Sequence, residues 1–251
     1  MITYPNPKIN IGLNILRKRD DGYHDIDTLM VPYDGMHDVL EIVPADELQM
    51  TLYGIEVDGD PMDNLCVRAW RLLVAECGIP PVAIYLHKGI PSGAGLGGGS
   101  ADASFTLLML NEIFSLGLPQ ERLEQMAATL GSDCPFFICN RAMLCRGRGE
   151  LMTPCEPDLS PYRIELTIPP VHVSTREAYA GVRPSLPEIP LEEALARPLA
   201  EWRDTVRNDF ESSVFAAHPE IAAAKEEMYS RGAVYASMSG SGSSVFGIFR
   251  K

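Results

Sequence analysis

The sequence predicts a two-lobed α+β protein, and three observations carry that expectation. Strand-like and helical runs are mixed without strict alternation. Proline clusters at Pro154-Cys155-Glu156-Pro157 and at Pro169-Pro170 interrupt both kinds of run, which suits a connection between lobes. The 251 residues, 46% hydrophobic and 22% charged, suffice for one large or two ordinary packed domains. The boundary is expected near residue 155, giving lobes 1–155 and 156–251.

Taken in order, residues 9–16 and 28–40 read as strands, 64–77 as a helix, and 82–87 as a strand that leads into a glycine-rich loop. A further helix over 123–130 stops at Gly131, and strands follow around 142–146 and 163–168. After a proline-rich span over 184–198 come helices at 204–215 and 219–231. Two last strand-like runs, 233–238 and 245–249, flank Ser239-Gly240-Ser241-Gly242-Ser243. That second glycine stretch fits a tight turn equally well as a backbone lip over a bound phosphate or substrate.

The first glycine loop is Pro91-Ser92-Gly93-Ala94-Gly95-Leu96-Gly97-Gly98-Gly99-Ser100-Ala101, with five glycines inside seven positions. Glycine accepts positive φ and close approach, so such a chain can turn several N–H groups toward one anion. Ala103, Leu107, Leu110 and Phe114 then recur at helical spacing, with Leu108, Met109 and Ile113 making the helix apolar nearly all round. Ser100 is the expected N-cap, and Asp102 the expected first-turn acid favouring the helix dipole. The helix N-terminus would add its unpaired donors, making a phosphate cradle. No Gly-Lys-Ser/Thr ending follows, and no lysine stands between Lys88 and Lys225, so the loop is not a Walker A site. Gly93, Gly95 and Gly98 fit the dinucleotide spacing, but the βαβ context with its early acidic residue is missing.

A formal net charge of −13 argues against nucleic acid and anionic membranes as partners, so any phosphate must be held by local groups. No apolar run is long enough to span a bilayer, and Met1-Ile2-Thr3-Tyr4 enters strand-like sequence without a basic, apolar leader; a cytoplasmic location is expected. Cys66, Cys77, Cys134, Cys139, Cys145 and Cys155 form no C-x-x-C pair and read as reduced, buried thiols. His37, His87, His172 and His218 follow no ligand spacing and are treated as structural.

Four stretches then stand in one order: Pro7-Lys8-Ile9-Asn10-Ile11-Gly12-Leu13, the loop from Pro91 to Ala101, Gly131-Ser132-Asp133-Cys134-Pro135-Phe136-Phe137, and Ser239-Gly240-Ser241-Gly242. In this the chain resembles the GHMP kinases over nearly its whole length. The resemblance implies a ribosomal protein S5 domain 2-like N-terminal lobe and a ferredoxin-like C-terminal lobe, with substrate and ATP meeting in the cleft between them. Asp21-Gly22-Tyr23-His24 narrows it to the branch that transfers the γ-phosphoryl group of ATP, with Mg²⁺, to a hydroxyl on the methylerythritol end of a CDP-linked small molecule.

By the same resemblance, Asp133 accepts the hydroxyl proton and Lys8 assists it, Asn10 holds the methylerythritol part, Tyr23 and His24 recognise cytosine, and Tyr179 closes on the base from the second lobe. Residues 91–101 hold the nucleotide, Ser100 could lend its hydroxyl to Mg²⁺, and Asn64 and Lys88 are weaker candidates for the adenosine. From pattern alone, Asp133 would be a helix cap, Lys8 a surface lysine, Asp20-Asp21-Gly22 a hairpin turn and Tyr179 plain core. Other members of the family, acting on homoserine or mevalonate, would have no use for the Tyr23-His24 segment. A nucleotide-binding module without catalysis would need neither Lys8 nor Asp133. The chain ends at Lys251 directly after its last strand, where related kinases continue into a further helix; no matched site position is affected. Oligomeric state stays open.

Overall fold

The computed structural model describes residues 1–251. In chain order the elements are β1 (Ile2–Thr3), β2 (Lys8–Lys18), β3 (His24–Pro32), β4 (Val39–Pro44), β5 (Gln49–Gly54), α1 (Leu65–Cys77), β6 (Val82–Lys88), α2 (Gly98–Ile113), α3 (Gln120–Leu130) and α4 (Cys134–Cys139). There follow β7 (Met143–Gly147), β8 (Leu151–Pro154), β9 (Tyr162–Thr167), α5 (Thr175–Gly181), α6 (Leu191–Leu195), α7 (Trp202–Thr205), α8 (Glu211–Ala217), α9 (Pro219–Ser230), β10 (Tyr235–Met238) and β11 (Val245–Arg250). No helix is long and apolar enough to cross a membrane.

The chain divides into two compact units that are not continuous stretches. The first comprises Met1–Pro7, Met36–Ser92 and Gly97–Arg141; the second comprises Lys8–Gly35, Gly93–Leu96 and Ala142–Lys251.

In the first unit, the sheet runs β1-β4-β6-β5, with β5 parallel to β6 and the other pairs antiparallel. Its core gathers Leu40, Ile42, Ile84 and Leu86 from the strands with Cys66, Leu73, Leu107, Leu110 and Leu123 from the helices. Large side chains buried this fully contribute about 1.5–3 kcal/mol each against exposure. Helix α1 opens on Asn64, whose side chain accepts from Cys66 N, and closes on Gly78 at φ 66°, where glycine escapes the Cβ penalty.

The second unit holds two antiparallel sheets, β2-β3-β7-β8 and β10-β11-β9. Its core joins Leu13, Ile15 and Ile26 to Phe210, Val214, Ile221, Met228, Met238 and Val245. In β2, Gly12 takes φ +67° and the register slips between Ile11 and Leu13, a bulge that bends the strand.

Three expectations need correction. The single strand over 28–40 is two strands, because Pro32 removes a ladder donor and the segment after it turns before β4 begins. The helix over 204–215 is broken into α7 and α8. Its middle pairs with β2 instead: Leu13 N donates to Arg207 O at 2.8 Å, Asp209 N donates to Leu13 O at 2.8 Å, and Asp209 Oδ2 accepts from Ile15 N at 2.7 Å. None of the six cysteines is in a disulfide, but only Cys66, Cys134 and Cys145 are buried; Cys77 is exposed and Cys139 and Cys155 lie between.

Candidate active site

In the second unit, three of the four ordered motifs meet at one carbonyl. Gly95 O accepts from Lys8 Nζ at 3.2 Å and from Ser239 Oγ at 3.0 Å. Lys8 N also donates to Leu96 O at 2.9 Å, and Ser244 N donates to Ala94 O at 3.1 Å. A side chain at Gly95 has no room: a Cβ there would lie 2.1 Å from Ser239 O, and φ is +77°. The residue is glycine because the two glycine segments touch backbone to backbone.

Lys8 is only 4% exposed, so it is not a surface lysine. Its ammonium also donates to Asn10 Oδ1; Asn10 Nδ2 donates to Thr28 Oγ1 at 3.0 Å, and Asn10 N to Ser239 Oγ at 3.1 Å. Strand alternation places Lys8 and Asn10 on one face of β2. Buried polar groups in such a chain hold one another in fixed rotamers.

The second glycine stretch is the turn between β10 and β11, closed by Ser239 N donating to Ser244 O at 2.8 Å. It is held from below by Asn208, whose Nδ2 donates to Met238 O and Gly240 O, both at 2.8 Å, while its Oδ1 accepts from Phe210 N at 3.0 Å. Sequence reasoning missed Asn208. It also missed His172: a Cβ on Gly93 would lie 2.5 Å from His172 Cε1, so this exposed imidazole packs directly on the loop. Neither residue has a local pattern that marks it.

The expected cytosine residues lie in the same unit. Arg19 N donates to Tyr23 O at 2.8 Å and Gly22 takes φ +85°, so Asp20-Asp21-Gly22 is indeed a turn; yet Tyr23 is 53% exposed rather than packed, with the Arg148 guanidinium 4.8 Å from its ring centre. His24 stacks on Tyr179 at 4.7 Å and 24°, and Tyr179 meets Phe210 edge-on at 4.8 Å. Burial, with Lys18 adding repulsion, holds His24 below the usual histidine range. The neutral ring offers one donor and one acceptor.

In the first unit, the loop's end and the Asp133 motif come together. Helix α2 begins at Gly98 after Gly97 at φ 72°, so Ser100 is not the N-cap: glycine in the left-handed region starts the helix before the serine is reached. Ser100 instead hydrogen-bonds the Cys134 thiol, which burial pushes up to about 11. Ser104 Oγ donates to Cys134 O at 2.7 Å. Helix α2 thereby holds the start of α4, where Asp133 stands in the cap position while its carboxylate makes no capping hydrogen bond. Positive φ at Gly93, Gly95 and Gly97 alternates with ordinary backbone, a pattern that curls successive N–H groups into anion-binding concavities.

Two expectations around the loop change. Asp102 is no surface helix-dipole residue but 2% exposed, paired with Lys88 Nζ at 2.6 Å. Lys88, 4% exposed and also held by Asp38, has its ammonium turned into this cluster, and Asn64 is spent as a helix cap. No three His, Cys, Asp or Glu side chains gather so as to hold a metal ion.

Residues 64–141 match the GHMP kinases N terminal domain and residues 191–251 the GHMP kinases C terminal domain. The 4-diphosphocytidyl-2-C-methyl-D-erythritol kinase of Bacteroides fragilis is 50% identical over 99% of this chain and 92% of its own length. That of Salinibacter ruber is 36% identical over 97% of this chain and 88% of its own. A crystal structure of 4-(cytidine 5'-diphospho)-2C-methyl-D-erythritol kinase superposes with TM-score 0.82 at 34% identity, covering 99% of this chain and 90% of that one. A mevalonate kinase structure, 12% identical with TM-score 0.71 over 100% of this chain and 91% of its own, shares the fold.

Proposed function

Because the chain belongs to the 4-diphosphocytidyl-2-C-methyl-D-erythritol kinases of the GHMP kinase family, we propose that it transfers the γ-phosphoryl group of ATP to the 2-hydroxyl of that CDP-linked substrate, releasing ADP. The observation that supports this best is the Gly95 carbonyl, on which Lys8 and Ser239 converge, tying the lysine strand and the second glycine turn to the loop. A binding module would not need a buried ammonium at its phosphate loop.

Phosphoryl transfer passes through a loose transition state, so the protein's task is to align the hydroxyl and neutralise charge. Residues Pro91 to Ala101 hold the triphosphate with backbone N–H groups and the N-terminus of α2. Asp133 accepts the proton of the attacking hydroxyl. Lys8 stabilises the developing negative charge, and Asn10 keeps the ammonium oriented while contacting the methylerythritol part. Tyr23 and Tyr179 supply aromatic faces for cytosine, and neutral His24 reads its edge.

Mg²⁺ takes few protein ligands and most of its shell from phosphate oxygens and water, which suits a site with no carboxylate cluster. When bound it neutralises the phosphate oxygens, with Ser100 as the hydroxyl proposed to join its shell. We place this activity in the cytoplasm, acting on a small molecule rather than nucleic acid. The test is phosphorus NMR of the product: one new monoester resonance with the diphosphate bridge intact supports the assignment, whereas cleavage of the bridge or free phosphate alone overturns it.

A further inference from the structure

Beneath the glycine loop, the first unit buries one ammonium between two carboxyl groups. Lys88, the last residue of β6, donates from Nζ to Asp38 Oδ2 and to Asp102 Oδ2, the latter at 2.6 Å. All three side chains are almost sealed from water, at 4%, 0% and 3% exposure for Lys88, Asp38 and Asp102. Asp38 Oδ1 accepts from Gly89 N at 2.6 Å and Ile90 N at 2.8 Å, the two residues just ahead of the loop. Asp102 lies in the first turns of α2, just beyond the loop. At Gly98 a Cβ would lie 2.8 Å from Ile90 Cγ2 and 3.4 Å from Lys88 Nζ, so the two ends of the loop close tightly over the cluster.

A buried ion pair seldom adds stability over apolar packing of the same volume, and removing one partner leaves an uncompensated charge. What this cluster does add is position. Its hydrogen bonds run from the backbone entering the loop, through one ammonium, to the helix leaving it. We propose that Asp38, Lys88 and Asp102 are positioning residues that clamp the two ends of the loop and so preorganise it for the nucleotide's phosphates, an inference that rests on the loop being the ATP site.

The balance of charge gives the clamp a pH dependence. Two carboxyl groups share one ammonium, and Asp102 Oδ1 has no hydrogen-bond partner. Burial pushes the Asp102 carboxyl up to about 8, with Asp38 repelling it and Lys88 opposing the rise. For Lys88, burial works against the ammonium, but Asp102 and Asp38 outweigh it and raise it. The Cys66 thiol of α1 also faces the cluster, and burial keeps it protonated. Below pH 8 the clamp thus carries one carboxylate and one ammonium; above it, a second carboxylate is uncompensated.

Titration calorimetry with a non-hydrolysable ATP analogue and, separately, with CDP tests this on the full chain, beside hydrogen exchange of residues 89–101. Lys88→Met is expected to weaken the analogue by about tenfold or more while CDP stays within about twofold, the range of a typical coupling between sites. Exchange over 89–101 should quicken. Asp102→Asn should retain near-native analogue affinity at pH 7 and, unlike the wild type, lose none between pH 7 and 9. Should Lys88→Met fail to fold, Asp38→Asn is judged by the same criteria. Unchanged analogue affinity in Lys88→Met or Asp38→Asn, equal loss of both ligands in either, or parallel pH profiles of Asp102→Asn and the wild type would overturn the clamp. A wild type that binds CDP but no analogue would instead overturn the loop's assignment to ATP, with the exchange measurement still deciding the clamp.

Discussion

Asp133 stands at the head of a six-residue helix, where an aspartate before Cys-Pro would ordinarily cap. It does not cap, and its neighbour Cys134 is held instead by Ser100 and Ser104 of α2. If Asp133 is the base, Asp133→Ala should lower turnover by about a hundredfold or more, the usual weight of a positioned acid-base group, while nucleotide binding persists. Turnover within a factor of a few of wild type would reject the role. Asp102 allows a second test at this scale. Its carboxyl is raised to about 8 in the folded chain against about 3.9 unfolded, so the folded state binds the extra proton between those values. Stability from this group is therefore complete below about pH 4 and is lost as pH climbs to about 8. Calorimetry should show the wild-type Tm falling relative to Asp102→Asn across that window and running parallel above it; parallel curves throughout would contradict the burial argument.

At the scale of elements, legibility followed sequence distance. The glycine loop stood out from the residues themselves, because close backbone approach demands glycine, whereas the lysine strand and the Asp133 segment stood out only through the family resemblance, and the second glycine stretch fitted a tight turn equally well. The break between α7 and α8 could not, since its cause is Leu13, whose backbone pairs with Arg207 and Asp209. The start of α2 lies three positions earlier than expected for a related reason: Ser100 looks like a cap, but left-handed Gly97 begins the helix first. The Lys88 clamp was invisible because one of its partners lies 14 residues away and the other 50. Asn208 illustrates what such a hidden residue carries. It satisfies two carbonyls of the β10–β11 turn and caps Phe210, so Asn208→Ala should lower unfolding free energy by about 2–4 kcal/mol through unsatisfied buried groups and a lost cap. Denaturant titration reads this directly, and a loss under 0.5 kcal/mol would deny the turn its support.

For the whole molecule, a net charge of −13 means that an anionic nucleotide meets a repulsive average field. On the proposed assignment, binding would depend on local backbone N–H groups and on cations near the loop, such as Lys8, which is buried against Gly95. Fold alone cannot say which hydroxyl is phosphorylated, since mevalonate kinase shares the architecture at 12% identity. The segment carrying Tyr23 and His24 is what we propose separates the alternatives. The decisive measurement is therefore ADP release in a coupled assay, with 4-diphosphocytidyl-2-C-methyl-D-erythritol, homoserine and mevalonate offered in turn. Release with the cytidine compound alone is the expected result; release with homoserine or mevalonate, or none with the cytidine compound, would contradict the assignment.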